Sequence, residues 1–236
     1  VIAAAGSGQR IGAGGPKAFV PLAGRAMVEW SIAACRAASS VRSIVVACPP
    51  GGVHDLAGSD IGVVDGGATR AESVSNALAA VGTELVAIHD AARPLVTSEL
   101  IEEVVATLTA DPESTGAIAA TSVTDTIKRA APLSRRDSKR SISLFLGPSA
   151  GGFVEETLDR ANLWAAQTPQ VFRVEALRAA LADPEQLVEA TDEAMMVEAV
   201  GGRVLIHPSP AENLKVTTPL DLKLAELLLT ERAAGA

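Results

Sequence analysis

The chain has 236 residues, 48% of them hydrophobic but only 3% aromatic, with no tyrosine. That length suits one large α/β domain whose core must be built from Ala, Val and Leu, a composition fitted to helices packed closely on a parallel sheet. The formal net charge of −8 argues against a dominant nucleic-acid role, and no apolar run approaches the roughly 20 residues of a membrane span.

Cys35 and Cys48 make neither a disulfide framework nor a metal cluster, and both sit in apolar periodic segments as small buried thiols. His54, His89 and His207 are scattered without ligand spacing. These features imply a cytoplasmic soluble protein.

Strand and helix signals alternate. Val1–Ala5 is a short apolar strand, too short and too plainly flanked for a signal peptide; the chain opens inside it, so a preceding segment is expected. Met27–Ala38 has helical apolar spacing. Ser43–Cys48 is a β-branched run stopped by Pro49–Pro50. Ile61–Val64 is a strand. Thr69–Val81 is a helix opened by a capping box, with Thr69 as N-cap and Glu72 three residues on. Leu85–His89 is a strand, Thr97–Leu108 a helix with Ile101, Val104, Val105 and Leu108 on one face, and Gly116–Ala120 a strand.

The alternation breaks at Arg129. "RAAPLSRRDSKRSISLFLGPSAGG" (129–152) is basic, then apolar, then rich in Gly and Pro. Regularity returns with "NLWAAQTPQVF" (162–172), a helix after Val174, a helix over Thr191–Val200 and a strand at Val204–His207. The last helix, Pro219–Glu231, has a capping box from Thr218 to Asp221 with proline at the first helical position. This order predicts a single domain over 1–236: a doubly wound, mostly parallel, Rossmann-like α/β sheet with an arm or insertion at about 129–160.

"AAAGSGQRIGAGGPKAF" (3–19) follows the first strand, where glycines usually admit a phosphate. Gly6 and Gly8 fit a dinucleotide fingerprint, but the third glycine falls at Gly12, with Ile11 before it. A Walker loop fails too, because Pro16 precedes Lys17 and Ala18 follows it. A loop that wraps a nucleoside triphosphate accounts for more: Gly6 and Gly8 let backbone N–H groups approach phosphate oxygens, while Arg10 and Lys17 supply cations for a transferring phosphoryl group. A solvated turn with two surface cations is the plainer alternative on spacing alone.

The loop resembles the signature of nucleotidyltransferases that make CDP- and sugar-nucleotides. "VVDGGATRAESV" (63–74), "VAIHDAARPLV" (86–96), "DTIKR" (125–129), "LDRANLWAAQTPQVF" (158–172), "ATDEA" (190–194) and "NLKVTTPLDLKLAE" (213–226) then follow in the order seen in the 2-C-methyl-D-erythritol 4-phosphate cytidylyltransferase family. The likeness covers nearly the whole chain except the arm. It implies an enzyme that joins CTP and methylerythritol phosphate with Mg²⁺, releasing pyrophosphate, in non-mevalonate isoprenoid synthesis. A ribitol 5-phosphate cytidylyltransferase and a non-catalytic nucleotide-binding module of the same fold remain alternatives. A nicotinamide-dependent oxidoreductase is opposed by the Gly12 offset.

The resemblance also assigns residues. Arg10 and Lys17 neutralise the triphosphate and the transition state, in a loop with Ala4, Ala5, Gly6 and Gly8. The Gly66 backbone and Ser73 contact the cytosine; Ala68 stands where relatives often carry a polar or acidic residue. Asp90 and Ala91 meet the ribose and the acceptor, Arg93 supports that wall, and Asp90 assists Mg²⁺. Thr126, Arg160, Thr168, Thr191 and Lys215 match the acceptor pocket, with Arg160 and Lys215 holding the attacking phosphate. Taken singly, each threonine reads equally as a cap or strand residue, and Thr191 as an N-cap.

The arm looks longer than in relatives. It carries a basic cluster of Arg135, Arg136, Lys139 and Arg140, followed by a strand-like "ISLFLG" (142–147). The family pattern implies a β-arm that clasps a second subunit into a homodimer; a solvated loop and an anionic-surface contact are the other readings.

Overall fold

The computed structural model describes residues 1–6, 15–51, 56, 60–131, 152–182 and 190–235. In chain order its strands are β1 (Ile2–Ala3), β2 (Pro21–Leu22), β3 (Arg25–Ala26), β4 (Ile44–Cys48), β5 (Ile61–Asp65), β6 (Leu85–Asp90), β7 (Gly116–Ser122), β8 (Lys128–Ala131), β9 (Phe153–Thr157), β10 (Trp164–Arg173) and β11 (Val204–Pro208). Its helices are α1 (Met27–Ala37), α2 (Arg70–Leu78), α3 (Ser98–Thr109), α4 (Val174–Leu181), α5 (Glu193–Ala199) and α6 (Pro219–Gly235). The chain divides into two compact units, Val1–Thr121 with Ala166–Ala236, and Ser122–Ala165.

The first unit is built on a seven-stranded sheet in the order β11-β7-β10-β6-β1-β4-β5. β1 runs parallel to β4 and β6, β4 to β5, and β7 to β11. β10 is the reversed strand, pairing antiparallel with β6 from Gln170↔Ile88 to Arg173↔Leu85. The chain reaches β10 from the excursion rather than through a helical crossover, and only a crossover imposes parallel pairing. All five residues of β4 are buried, as expected of a central strand covered on both faces.

Local sequence signals set the helix ends. Thr69 Oγ1 accepts from Glu72 N while the Glu72 carboxylate accepts from Thr69 N, a complete capping box on α2. Thr97 caps α3 by accepting from Leu100 N. Asp221 N donates to Thr218 Oγ1 and Asp221 Oδ2 accepts from Thr218 N, the reciprocal pair expected ahead of α6. The start of α5 differs from expectation: Asp192 is its N-cap, with its carboxylate on Met195 N, and the exposed Thr191 lies outside the helix. A carboxylate also suits the positive helix N-terminus.

Among the described residues several apolar clusters line the sheet, two of them built largely from helix residues packed on strands. Val74, Leu78, Ile88, Phe172, Leu177 and Met196 belong to one. Leu100, Ile101, Val104 and Leu108 pack with Ala117, Ala119 and Val171 in the other. With so few aromatics, a single large ring fixes much of the first: a Cβ on Gly116 would lie 2.5 Å from the Phe172 ring, so the glycine makes room for it.

The second unit holds an antiparallel ribbon. β8 and β9 pair from Lys128↔Thr157 to Ala131↔Phe153, with a bulge between Arg129 and Ala130. Lys128 donates to Thr157 at 2.6 Å, and Arg129 to Glu156 at 2.6 Å. Every residue of β9 is exposed. The base of the expected β-arm is therefore β-structure, while the basic cluster and the strand expected at 142–147 lie outside the described residues.

Candidate active site

The carboxyl ends of β1, β4 and β6 meet at one edge of the sheet. Ala4 N bonds Ala47 O at 2.9 Å, Ala91 N bonds Ala3 O at 3.1 Å, and Gly66 N bonds Cys48 O at 2.7 Å. Each strand thus hands its chain to a loop at the same level, the position where open α/β sheets bind ligands. The loops wall a cleft of about 650 Å³ lined by Ala3–Gly6, Lys17, Ala18, Gly67–Arg70, Ser73, Asp90–Ala92, Lys215 and Thr217.

One wall is small by necessity. A Cβ on Gly66 would stand 2.4 Å from Ala5 Cβ, and one on Gly67 would stand 2.2 Å from Glu72 Cβ. Gly67 N donates to Ser73 Oγ at 3.0 Å, and Ser73 Oγ donates to Thr69 O at 2.9 Å. Ala68 N donates to Glu72 Oε2 at 2.6 Å. The turn is thus held by the first residues of α2, and it presents Gly67 and Ala68 to the cleft. Gly66 lies one step behind, its N–H committed to Cys48. Lys17 N donates to Gly6 O at 3.1 Å, and both residues line the cleft. Gly8 and Arg10 lie outside the described residues.

Asp90 is the electrostatic centre. Its Oδ1 accepts from Arg70 Nε at 2.9 Å and its Oδ2 from Lys215 Nζ at 2.6 Å. Burial would raise its pKa, but the charges and hydrogen bonds of Arg70 and Lys215 win and hold the carboxyl well below the usual range. Arg70 also donates through Nη1 to both oxygens of Glu193, at 2.6 and 2.5 Å. Glu193, fully buried on α5, is raised by desolvation against the pull of Arg70. For Arg70 burial acts downward, yet the two carboxylates push its pKa up overall.

Behind Asp90 lies a relay. Asp90 N donates to Thr168 Oγ1 at 3.1 Å; Thr168 lies 3.0 Å from His89 Nδ1; His89 Nε2 lies 3.1 Å from Arg93 O. The carbonyl only accepts, so Nε2 carries the proton and Nδ1 accepts from the threonine. Burial lowers the His89 pKa to about 4, which keeps the ring neutral. Arg93, 8% exposed, donates to Asn213 O at 2.7 Å and Ala166 O at 3.3 Å, tying the β6 end to the loop that carries Lys215.

The structure brings together Ala4, Ala5, Gly6, Lys17, Ser73, Asp90, Ala91 and Lys215 around one cleft. Arg93 lies behind that cleft, bonded to Asn213 O and Ala166 O. Thr168 is 3% exposed, and its hydroxyl is spent on Asp90 and His89 rather than offered to a polyol. Thr126 and Arg160 belong to the second unit, where the Arg160 guanidinium donates to Thr124 O. The sequence reading missed Arg70, Glu193 and His89. Arg70 and Glu193 sit inside quoted motifs, but 123 residues separate them and no spacing in the sequence joins them.

A loop of small residues and cations at the strand ends of this sheet defines the class: an α/β nucleotidyltransferase. A family profile described as 2-C-methyl-D-erythritol 4-phosphate cytidylyltransferase matches residues 1–140 and 146–231, entering the arm from both sides. Relatives carrying that name include those of Frankia casuarinae, 40% identical over 97% of this chain and 80% of the relative, and Synechococcus elongatus, 38% identical over 98% and 96%. The crystal structure of the enzyme of that name from Thermus thermophilus superposes with a TM-score of 0.74 at 33% identity, covering 96% of each chain. The chain belongs to the 2-C-methyl-D-erythritol 4-phosphate cytidylyltransferase family.

Proposed function

We propose that this chain transfers CMP from CTP to 2-C-methyl-D-erythritol 4-phosphate, giving 4-diphosphocytidyl-2-C-methyl-D-erythritol and pyrophosphate. The observation that carries the reading is the cleft itself, which sets Lys17 on the triphosphate loop and Lys215 on the opposite loop around the backbone of residues 3–6. An acceptor phosphate oxygen forms a bond to the α-phosphorus of CTP while the bond to the β-phosphate oxygen breaks. The nucleophile is already an anion, so no general base is required. The barrier is the approach of two polyanions, which cations lower.

Lys17, with Arg10, neutralises the triphosphate; Lys215 holds the acceptor phosphate. Gly67 and Ala68 leave room for the base beside Ser73, and Asp90 with Ala91 faces ribose and acceptor. The polyol is left to Thr191. Among the described residues Asp90 is the one acid lining the cleft, and no group of three potential metal ligands is present. That fits Mg²⁺ carried chiefly by substrate phosphates with at most one protein carboxylate; bound there, it would offset triphosphate charge. No described helix is long and apolar enough to cross a membrane, and the two free thiols suit a cytoplasmic setting. The arm, begun by β8 and β9, joins two chains as a homodimer.

Pyrophosphate release tests the reading, with CTP offered alongside methylerythritol phosphate or ribitol 5-phosphate, and ATP in place of CTP. Methylerythritol phosphate with CTP should be the best pair by far. Equal turnover of ribitol 5-phosphate, or of ATP, would overturn the acceptor or the base assignment respectively.

A further inference from the structure

Glu193, Arg70, Asp90 and Lys215 form a line of alternating charge from the interior to the cleft, with contacts of 2.5–2.6, 2.9 and 2.6 Å. The two ends differ. The Glu193 side chain is 0% exposed and the Lys215 side chain 41%. Arg70 spends Nε on one acid and Nη1 on the other, a forked geometry that fixes its plane. Lys215 is a point charge on a flexible stem, and it is the member that can leave.

We infer that Arg70 is a positioning residue whose pairing with Asp90 allows Lys215 to be released onto the acceptor phosphate. This deepens the proposed function and rests on Lys215 holding that phosphate. In the structure Lys215 neutralises one oxygen of a buried carboxylate. When it turns to a phosphate, Arg70 stays on the other oxygen and holds Asp90 in the rotamer that faces the cleft. Without Arg70, Lys215 is the sole close side-chain partner of a desolvated acid, and it stays on Asp90 because its departure would leave a buried charge uncompensated. Acceptor use is then weakened.

Glu193 anchors Arg70 from the interior side through Nη1, leaving Nε for Asp90. Among the described residues, the charged and titratable groups around Asp90 are Arg70 from α2, Glu193 from α5, Lys215 from the loop before α6, and His89 and Arg93 from its own strand end.

The experiment measures kcat and KM for each substrate in the full chain and in Arg70→Gln, Arg70→Lys and Lys215→Ala. Arg70→Gln should raise the acceptor KM roughly tenfold or more, as expected for loss of a charge-assisted bond, and change the CTP KM less than about threefold. Arg70→Lys keeps the charge but not the fork, and should recover part of the acceptor KM. An acceptor KM unchanged in Arg70→Gln, or a loss shared equally by both substrates, would overturn the proposal. If Arg70→Gln does not fold, an Arg70→Lys variant whose acceptor and CTP KM shift equally overturns it instead. A normal acceptor KM in Lys215→Ala would refute the underlying reading of Lys215, whatever Arg70 does.

Discussion

The Thr168 hydroxyl stands between Asp90 and His89, accepting from the Asp90 backbone N–H at 3.1 Å and lying 3.0 Å from His89 Nδ1. One buried hydroxyl thus joins the acid of the cleft to an uncharged imidazole. Thr168→Val keeps the shape but strands a buried N–H and a ring nitrogen, which should cost about 1–3 kcal/mol. Thr168→Ser keeps the hydroxyl and should cost less. Urea unfolding of the two variants beside the parent measures both; equal stability of valine and parent would contradict the relay.

The same relay predicts a pH window for stability. The folded pKa of His89 is about 4 against an ordinary 6.5. Between those values the unfolded chain binds the extra proton, so stability falls as pH falls. The contribution is fully present above pH 6.5 and is lost by about pH 4, a change of about 3 kcal/mol. Glu193, with its pKa raised, acts with the opposite sign. The comparison is therefore between the parent and His89→Gln, whose stabilities should converge toward acid pH. A constant difference from pH 7 to pH 4 would show that His89 titrates normally.

Gly66→Ala should be damaging without any backbone strain. Its Cβ would meet Ala5 Cβ at 2.4 Å and Ser73 Oγ at 2.9 Å, and the first contact cannot be relieved by rotating a side chain. Overpacking of this kind costs about 1–3 kcal/mol, and shifting Ala5 should raise the CTP KM. Gly82→Ala is the control, since nothing lies within 4 Å of its Cβ. Thermal unfolding and CTP kinetics of the pair check the contrast.

Ala23 offers a stabilising change. With φ of 46° beside Gly24 at 84°, it occupies the two-residue turn joining β2 to β3. Such turns need positive φ at both positions, which asparagine tolerates better than alanine. Ala23→Asn should gain about 0.5–1 kcal/mol, read as a rise of about 1–4 °C in Tm; an unchanged or lower Tm would refute the turn assignment.

The arm can be tested by deletion. Replacing residues 132–152 with a short Gly/Ser linker removes the tip while leaving all of β8 and β9 in place. A two-stranded ribbon exposed except at Ala131 is marginal alone, so a second chain is its expected support. Sedimentation should show a monomer or a weakened dimer with reduced activity. A tight dimer of full activity would make this segment only a loop.

The sequence by itself determined what is local. Apolar periods marked α1, α3 and β4. Capping boxes at Thr69/Glu72 and Thr218/Asp221 marked the starts of α2 and α6, because both partners lie within one turn. The ordered motifs marked the family and brought Lys17, Ser73, Asp90 and Lys215 into view. Tertiary structure alone decided what depends on partners far apart in the chain. The reversal of β10 beside β6 was not legible in "NLWAAQTPQVF", since the same residues pair in either direction. Asp192 rather than Thr191 capped α5 because its carboxylate also accepts from Gln170 across the fold. Arg70 carried no periodic or spacing signal; its role comes from Asp90, 20 residues on, and Glu193, 123 residues on. His89 looked like a scattered histidine until Thr168 and Arg93 closed around it. Short-range chemistry is written into neighbouring residues, whereas the charge balance of a buried cleft exists only once the sheet has assembled its walls.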